Sequence, residues 1–157
     1  MSKSSIDVDL QILSSSLSIP ENSLIEACVK KVIKRNHIAS FTNICVRIVD
    51  EYEASLLNKK YRGIDKPTNV LAFPVENLEI PGNEEIFLGD IVICGPVVER
   101  EAENQNKDVN GHWLHILIHG TLHLLGFSHE NESQAREMEF LEKCFLSEYG
   151  VSDPYKN

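Results

Sequence analysis

The chain carries three histidines, His119, His123 and His129, at a spacing suited to holding one metal ion. Side chains four residues apart lie on the same face of a helix, so His119 and His123 can bind one ion together. Gly126 can take the left-handed conformation that ends a helix, which would let the chain turn back and bring His129 to the same ion. Three imidazoles with one open position are typical of a catalytic zinc site rather than a closed structural one.

The spacing of these histidines matches the long zinc-protease motif except at one position. That motif has a glutamate, its general base, directly after the first histidine, and this chain has Gly120 there. His115 forms a rival pair with His119, but no turn lies at the right distance to supply that pair with a third ligand. We interpret His115 as a neighbour of the site or as a residue that only shares its helix face. The remaining histidines, His37 and His112, are predicted to be ordinary surface or packing residues.

Length and composition favour one globular domain. The 157 residues are enough for a real core, and 42% of them are hydrophobic. No apolar run approaches the length that spans a membrane, and the N-terminus has no signal-peptide core. The cysteines lack metal-binding spacing and predict reduced, mostly buried thiols in a cytosolic protein; they are Cys28, Cys45, Cys94 and Cys144.

The net charge of −9 is unevenly distributed along the chain. Residues 1–70 hold 10 basic and 8 acidic side chains, a net +2, whereas residues 71–157 hold 5 basic and 16 acidic side chains, a net −11. Basic residues cluster at 30–35 and 59–62, with Lys66 nearby. Each cluster could follow a phosphate backbone or could be the solvated face of a helix.

Hydrophobic periodicity and turn residues predict an α+β fold. Strands are expected at 8–12, 44–49, 70–73 and 90–94, and helices at 20–36, 50–63, 95–104, 109–125 and 133–149. Asp50 is expected to cap the second helix, with Glu53 at capping-box spacing. Residues 76–87 are predicted to form a polar loop, and the segment from Gly150 is predicted to be frayed. These elements predict a single domain over residues 1–157. In it, about five helices pack on a small mixed four-stranded sheet, and the metal-binding helix is distantly similar to that of zinc proteases.

Three stretches resemble the signatures of one known family. They are NKKYRGIDKPTNVLAFP at 58–74, LGDI at 88–91 and HGTLHLLGFSH at 119–129. In this order they resemble the bacterial YbeY family of ribosomal-RNA maturation endoribonucleases, and together they cover the chain from about residue 50 to residue 130. The histidine-containing signature is highly specific.

The resemblance implies a cytoplasmic, zinc-dependent endoribonuclease specific for single-stranded RNA. It would act in maturation of the 3′ end of small-subunit (16S) ribosomal RNA and in ribosome quality control. Its partners would be ribosomal RNA and the small ribosomal subunit, with no DNA or membrane partner expected. The resemblance assigns one zinc ion per chain to His119, His123 and His129, and a catalytic role to Arg62. The chain departs from the family at Ser128 and Asn69, where aspartate is common.

The residues themselves are consistent with phosphoryl transfer. Zinc activates water and polarises a phosphoryl oxygen without a strong protein base, and RNA carries a 2′-hydroxyl that can act as an internal nucleophile. Arg62 offers a planar donor fork suited to phosphate oxygens, although a structural ion pair is the alternative. Lys59 and Lys60 are candidate RNA-binding residues. Thr68 could contact phosphate or shape the turn after Pro67, and Asp90 is expected in a turn or cap at a strand start.

Three classes of function remain open at this stage. A metal-dependent endoribonuclease is the leading one. Another zinc hydrolase, acting on peptide or amide bonds, is disfavoured because Gly120 replaces the glutamate that such an enzyme needs. A ribosome-assembly binding protein with a structural metal is disfavoured because three ligands leave one position open.

Overall fold

Four strands and five helices make up the described part of the chain, which in this computed structural model comprises residues 5–36, 41–75 and 85–156. The strands are β1 Ser5–Ile12, β2 Phe41–Val49, β3 Val70–Pro74 and β4 Glu85–Cys94. The helices are α1 Asn22–Asn36, α2 Glu51–Arg62, α3 Gly95–Asn104, α4 Val109–Leu124 and α5 Glu132–Ser147. The α+β class predicted from the sequence is confirmed.

The strands form one mixed sheet in the order β1-β2-β4-β3. β1, β2 and β4 run parallel, and β3 pairs with β4 in the antiparallel direction. This pairing leaves β3 at one edge of the sheet, directly before the segment that returns the chain to β4.

Side chains of β4 alternate between two cores, as the pleat of a strand requires. Ile91 and Ile93 belong to the larger core, which also contains buried residues of α1, α4 and α5. Val92 and Cys94 belong to a smaller core with Ala54 of α2. The sheet is therefore covered on both faces near the β4–β3 edge.

Helix α4 is buried on most of its surface, with Trp113 and Leu117 fully buried. Its first turn is capped by Asp108, whose carboxylate accepts a hydrogen bond from the backbone N–H of Gly111 at 3.0 Å. Trp113 donates its indole N–H to Ser18 at 3.0 Å, which satisfies its polar atom inside the core. No helix in the described ranges combines the length and apolar character needed to cross a membrane.

The predicted capping box at the start of α2 is wrong. Asp50 is the N-cap by position, but its side chain accepts hydrogen bonds from Ser14 and Ser15 instead of from the helix. Glu53 does not reach the start of the helix, because its carboxylate accepts two hydrogen bonds from the guanidinium of Arg47, at 2.7 and 2.8 Å. A charged partner binds these carboxylate oxygens more strongly than a backbone N–H would, so the tertiary pair replaces the local one.

Three further expectations differ from the structure. Strand β4 starts at Glu85, so the end of the predicted loop 76–87 is strand; residues 76–84 and His37 lie outside the described residues. Asp90 is in the middle of β4 opposite Phe73, not in a turn or cap. The predicted fraying after Gly150 is also wrong over residues 150–156, because Val151 packs on the larger core.

All four cysteines are free, but only Cys28 and Cys94 are buried.

Candidate active site

Three imidazoles meet at the C-terminal end of α4. His119 and His123 are one helical turn apart, and their Nε2 atoms approach to 3.1 Å. The ring of His129 lies 5.0 Å from that of His123 and 5.8 Å from that of His119, measured between centroids. One nitrogen from each of the three rings lies within 4.8 Å of the other two. The structure thus brings together the three histidines that the sequence spacing singled out.

The turn that delivers His129 depends on Gly126. This residue has a φ of 100°, in the region that favours glycine, as predicted. Its N–H donates to the carbonyl of His123 at 3.1 Å, and the N–H of Phe127 donates to the carbonyl of Leu122 at 3.1 Å. These bonds satisfy carbonyls that the end of α4 leaves free, and they reverse the chain within three residues.

The three-histidine cluster has the donor set and the access that a catalytic metal requires. Its ligand atoms are imidazole nitrogens, which suit zinc and other borderline metals. His119 and His123 are partly buried, whereas His129 is exposed, so one side of the cluster faces solvent. Burial, followed by the nearby charges of His119 and His129, lowers the pKa of His123 to about 4. His123 is therefore neutral at physiological pH, the form in which imidazole binds metal.

Glu142 of α5 contacts the far side of the cluster. Its side chain is fully buried, and one of its oxygens is 2.5 Å from Nδ1 of His119. The other oxygen is 3.2 Å from Nε2 of His115 and accepts a hydrogen bond from the hydroxyl of Tyr155. Burial alone would raise the pKa of Glu142, but the hydrogen bonds from His115 and His119 outweigh it and hold this pKa at about 2.

Sequence reasoning missed Glu142. It lies 23 residues after His119 in a helix rich in acidic side chains, and no local pattern distinguishes it from its neighbours. The pattern of the helix held one indication. Glu142 lies on the same face of α5 as the buried Met138 and Phe145, and an ionised group buried there must have partners. For His115 the sequence left two interpretations open, and its contact with the same carboxylate as His119 favours a neighbour of the site.

A cleft of about 420 Å³ opens over the three histidines. Its lining comes from the end of α2, the segment before β3, β3 itself, α4 and the turn after it: Arg62, Thr68, Asn69, Val70, Leu71, Ala72, Pro74, His119, Gly120, His123 and His129. Arg62 and Thr68, both picked out from the sequence, therefore share one cavity with the histidine cluster. Lys59 and Lys60 are not among the described residues that line it.

Gly120 forms the part of the cleft floor where α4 meets the sheet. A Cβ atom placed there would lie 2.9 Å from Cγ2 of Ile91 and 3.2 Å from Cγ2 of Val70. Real Cβ contacts are rarely so short, so any side chain here would require Ile91 and Val70 to shift. The glutamate that a zinc protease carries after its first histidine does not fit this packing as it stands.

Arg62 is exposed at the last position of α2 and forms no salt bridge within the described ranges. The alternative interpretation of Arg62, a structural ion pair, therefore finds no partner among the described residues. Gly63 ends the helix with a φ of 73°. Asn58 then donates its amide to the carbonyl of Lys66 at 2.8 Å, which fixes the turn that leads to Thr68 and β3.

The two neighbouring lysines lie on the outer surface of α2. The amine of Lys59 is 3.8 Å from Asp65, an exposed pair that contributes little to stability. The amine of Lys60 is 5.3 Å from the ring centroid of Tyr61, and that ring packs against Phe73 with centroids 4.8 Å apart. The basic residues of α1 have partners at the end of the chain. The amine of Lys31 lies over the ring of Tyr149, and Arg35 forms a salt bridge with Glu148.

Asn69 and Ser128, where the family that the sequence resembles commonly has aspartate, both form side-chain hydrogen bonds. Asn69 donates its amide to the carboxylate of Glu101 at 3.1 Å. An aspartate at that position would place two carboxylates in contact, so asparagine suits this neighbour better. Ser128 donates to the side-chain oxygen of Gln134 at 2.8 Å. His112, predicted to be a surface or packing residue, is buried and lies 2.9 Å from Glu101.

Comparison with known proteins identifies a family. The family described as Endoribonuclease YbeY matches residues 11–150 of this chain. Endoribonuclease YbeY of Halorhodospira halophila is 46% identical over 140 residues, which are 88% of this chain and 90% of that protein. The solution structure of TM1509 from Thermotoga maritima is similar in fold, with a TM-score of 0.58 and 27% identity, and the match covers 94% of this chain and 99% of that one.

Proposed function

Because the chain belongs to the YbeY family of endoribonucleases, we propose that it cleaves single-stranded RNA in the cleft above its three-histidine cluster. In this proposal one domain spanning residues 1–157 binds a single zinc ion through His119, His123 and His129. Arg62 is the catalytic arginine. Lys59, Lys60 and Thr68 help to bind the RNA.

The observation that carries this proposal is the convergence of Arg62 with the histidine cluster in one cavity. Arg62 comes from the end of α2, and the histidines come from α4 and the turn that follows it. Catalysis of phosphoryl transfer depends mainly on positioning and on stabilising developing charge. A metal site beside a guanidinium that forms no salt bridge with any described residue offers both functions around one phosphate.

Zinc fits the residues that are present. Three imidazoles on a helix and its following turn form a three-ligand set that leaves a position for substrate or water. When bound, zinc supplies Lewis acidity toward a phosphoryl oxygen and lowers the pKa of water. The exposure of His129 gives substrate access to that position.

The residues around the metal site have separate tasks in the proposed reaction. Arg62 presents two parallel N–H donors that match the oxygens of a phosphate, and these contacts strengthen as negative charge grows in the transition state. Thr68 lines the same cleft, and its hydroxyl is the group that we propose donates to a second phosphate oxygen. The apolar residues Val70 and Ala72 of β3 line the cleft beside the histidines.

The preference for a single strand is supported by an exposed aromatic surface beside Arg62. The side chain of Tyr61 is 56% exposed while its ring is held against Phe73. Unpaired bases stack on such rings, whereas bases within a duplex are already stacked on one another. An RNA strand also brings its own 2′-hydroxyl, so the reaction depends less on a protein carboxylate as general base.

The resemblance to the family extends the proposal to a substrate. We propose that the RNA is ribosomal, that the cut matures the 3′ end of the small-subunit 16S RNA, and that the chain takes part in ribosome quality control. The small ribosomal subunit is then the partner, and the reaction occurs in the cytoplasm.

The packing at Gly120 supports a ribonuclease over a peptidase. A peptidase of the zinc-protease type needs a glutamate at this position, and even a Cβ there would lie only 2.9 Å from Cγ2 of Ile91. The third class, an assembly factor with a structural metal, is less consistent with a site whose third histidine is exposed. Structural zinc sites are closed by four protein ligands.

RNA cleavage by protein loaded with zinc, stripped by chelation and reloaded would test the proposal. We expect cleavage of a single-stranded RNA to disappear on stripping and to return on reloading. His123→Ala, purified in parallel, should stay inactive in all three states and so exclude a contaminating nuclease. A precursor of 16S RNA within small subunits should be cut near its 3′ end. Cleavage that persists in stripped protein or in His123→Ala would contradict the proposal.

A further inference from the structure

We propose that Glu142 is a positioning residue for the metal ligand His119, and that Tyr155 of the C-terminal segment holds Glu142 in place. The inference rests on the metal site of the proposed function, and it assigns roles to two residues outside the cleft. Glu142 and Tyr155 touch neither the substrate cavity nor the exposed face of the cluster.

The first step is the orientation of His119. A neutral imidazole carries one proton, and the ring nitrogen without it is the one that can bind metal. Glu142 is 2.5 Å from Nδ1 of His119, so the proton is required at Nδ1 to make this hydrogen bond. Nε2 of His119 is then free of its proton and faces Nε2 of His123 at 3.1 Å. The carboxylate thus selects the tautomer and the ring orientation that the metal needs.

The second step is the position of Glu142 itself. An ionised carboxylate that is fully buried needs several donors to offset the loss of water. Glu142 has three: His119 at one oxygen, and His115 and Tyr155 at the other. Two donors on the second oxygen fix the rotation of the carboxylate, so the first oxygen points at His119.

The third step is the attachment of Tyr155. Residues 150–156 follow α5 and fold back over it, and this return is secured at several points. The N–H of Val151 donates to the carbonyl of Leu146 at 3.0 Å. The amine of Lys107 donates to the carbonyl of Pro154 at 2.9 Å. The ring of Tyr155 stands edge-on to that of His115 with centroids 5.5 Å apart. The C-terminal segment is thereby connected to the metal site through one carboxylate.

A second metal ion held by His115, His119 and Glu142 is the competing interpretation, since these three also lie within 4.8 Å of one another. Two ligand atoms of a tetrahedral ion with bonds of about 2.1 Å lie roughly 3.4 Å apart. The 2.5 Å between Nδ1 of His119 and Glu142 is too short for such a pair and suits a charge-assisted hydrogen bond. The geometry therefore favours one ion and a supporting carboxylate.

The test is the zinc affinity of full-length variants, measured by competition with a chelator of known affinity. Loss of a carboxylate that orients a metal-binding histidine commonly weakens binding by roughly 10–100-fold. We expect a loss in this range for Glu142→Gln and a smaller, severalfold loss for Tyr155→Phe, which removes one hydroxyl only. Glu137→Gln, on the exposed face of the same helix, is the matched control and should bind zinc like the wild type.

A second measurement separates positioning from general damage to the fold. In metal-free protein, ¹⁵N shifts of the imidazoles report which nitrogen of His119 carries the proton. The wild type should show the Nδ1–H tautomer, and Glu142→Gln should show a mixture. Tyr155→Phe gives a test if Glu142→Gln does not fold. Wild-type affinity in Tyr155→Phe together with an unchanged His119 tautomer in Glu142→Gln would overturn the proposal, as would two zinc ions per wild-type chain. Tight zinc binding without RNA cleavage would contradict the proposed function and leave this inference intact.

Discussion

Gly120 of α4 lies directly against Ile91 of β4, so that a Cβ on the glycine would be 2.9 Å from the Cγ2 of the isoleucine. This contact sets how closely the histidine-bearing helix approaches the sheet. A side chain at this position would run into Ile91 and Val70, so glycine suits the close approach of α4 to the sheet. The absence of a glutamate after the first histidine is consistent with this packing.

Gly120→Ala should destabilise the protein. Alanine would gain up to about 1 kcal/mol in helix propensity. Overpacking against Ile91 in a fully buried core costs about 1–3 kcal/mol and should exceed that gain. Urea unfolding of the metal-free protein would measure the difference as a lower midpoint with an unchanged slope. A midpoint equal to or above that of the wild type would show that α4 has room to move.

Removal of a cluster histidine should abolish tight zinc binding. Wild-type protein should carry one zinc per chain, and His119→Ala or His123→Ala should carry almost none after dialysis. Elemental analysis of the purified proteins measures this directly. Full occupancy in the double alanine variant would redirect the assignment to His115 or to the cysteines.

The metal-free protein should lose stability as the pH falls from about 6.5 to about 4. The pKa of His123 is about 4 in the folded protein, below its ordinary value of 6.5. Between these values the unfolded chain binds more protons, so acidification favours unfolding. The pKa of Glu142 is about 2, below its ordinary value of 4.5. Protonation of this carboxylate therefore adds to the loss of stability at still lower pH. Urea midpoints measured across this range should fall less steeply for His123→Gln; parallel curves would contradict the assignment to His123.

Arg62→Ala should lower turnover more than RNA affinity. If the guanidinium stabilises charge that develops on the phosphate, its loss should slow single-turnover cleavage by roughly 10²–10³-fold. Arg62→Lys keeps the charge without the forked donors and should recover only part of the rate. Zinc content should be normal in both. Weak binding combined with a normal rate for bound RNA would make Arg62 a docking residue instead.

Charge reversal at Lys59 and Lys60 should weaken RNA binding and reduce its dependence on salt. Each lost phosphate contact lowers the slope of log affinity against log salt by roughly 0.7 for single strands. Lys143→Glu is the matched control, because Lys143 lies in the acidic half, 3.9 Å from Asp153. An unchanged slope in the double reversal would show that the RNA does not cross the surface of α2.

Local patterns in the sequence were enough to predict the histidine-bearing helix and the turn that follows it. The histidine spacing and Gly126 act within eleven residues, and backbone geometry alone determines what they do. The cap at Asp50 failed because two serines from before α1 compete for its carboxylate. That competition depends on tertiary structure, whereas helix-capping rules consider only residues close in sequence.

The parts of the site that sequence reasoning missed are all long-range. Glu142 reaches His119 from another helix, and Tyr155 reaches Glu142 from a segment whose composition suggested fraying. The start of β4 was missed because Ile86, Phe87 and Leu88 follow a polar stretch and have no alternation of their own. These residues form a strand because they pair with β2, which their own sequence pattern does not indicate.

The distribution of the site along the chain has a consequence for how the enzyme assembles. The three imidazoles occupy residues 119–129, whereas Arg62 precedes His119 by 57 positions and is brought beside the cluster by tertiary packing. Closing so long a loop is slow compared with forming a helix and its turn. The three-histidine cluster can therefore form from one contiguous segment, whereas the cleft that joins it to Arg62 exists only in the folded domain. A molecule folded only around α4 would present the histidines without the arginine.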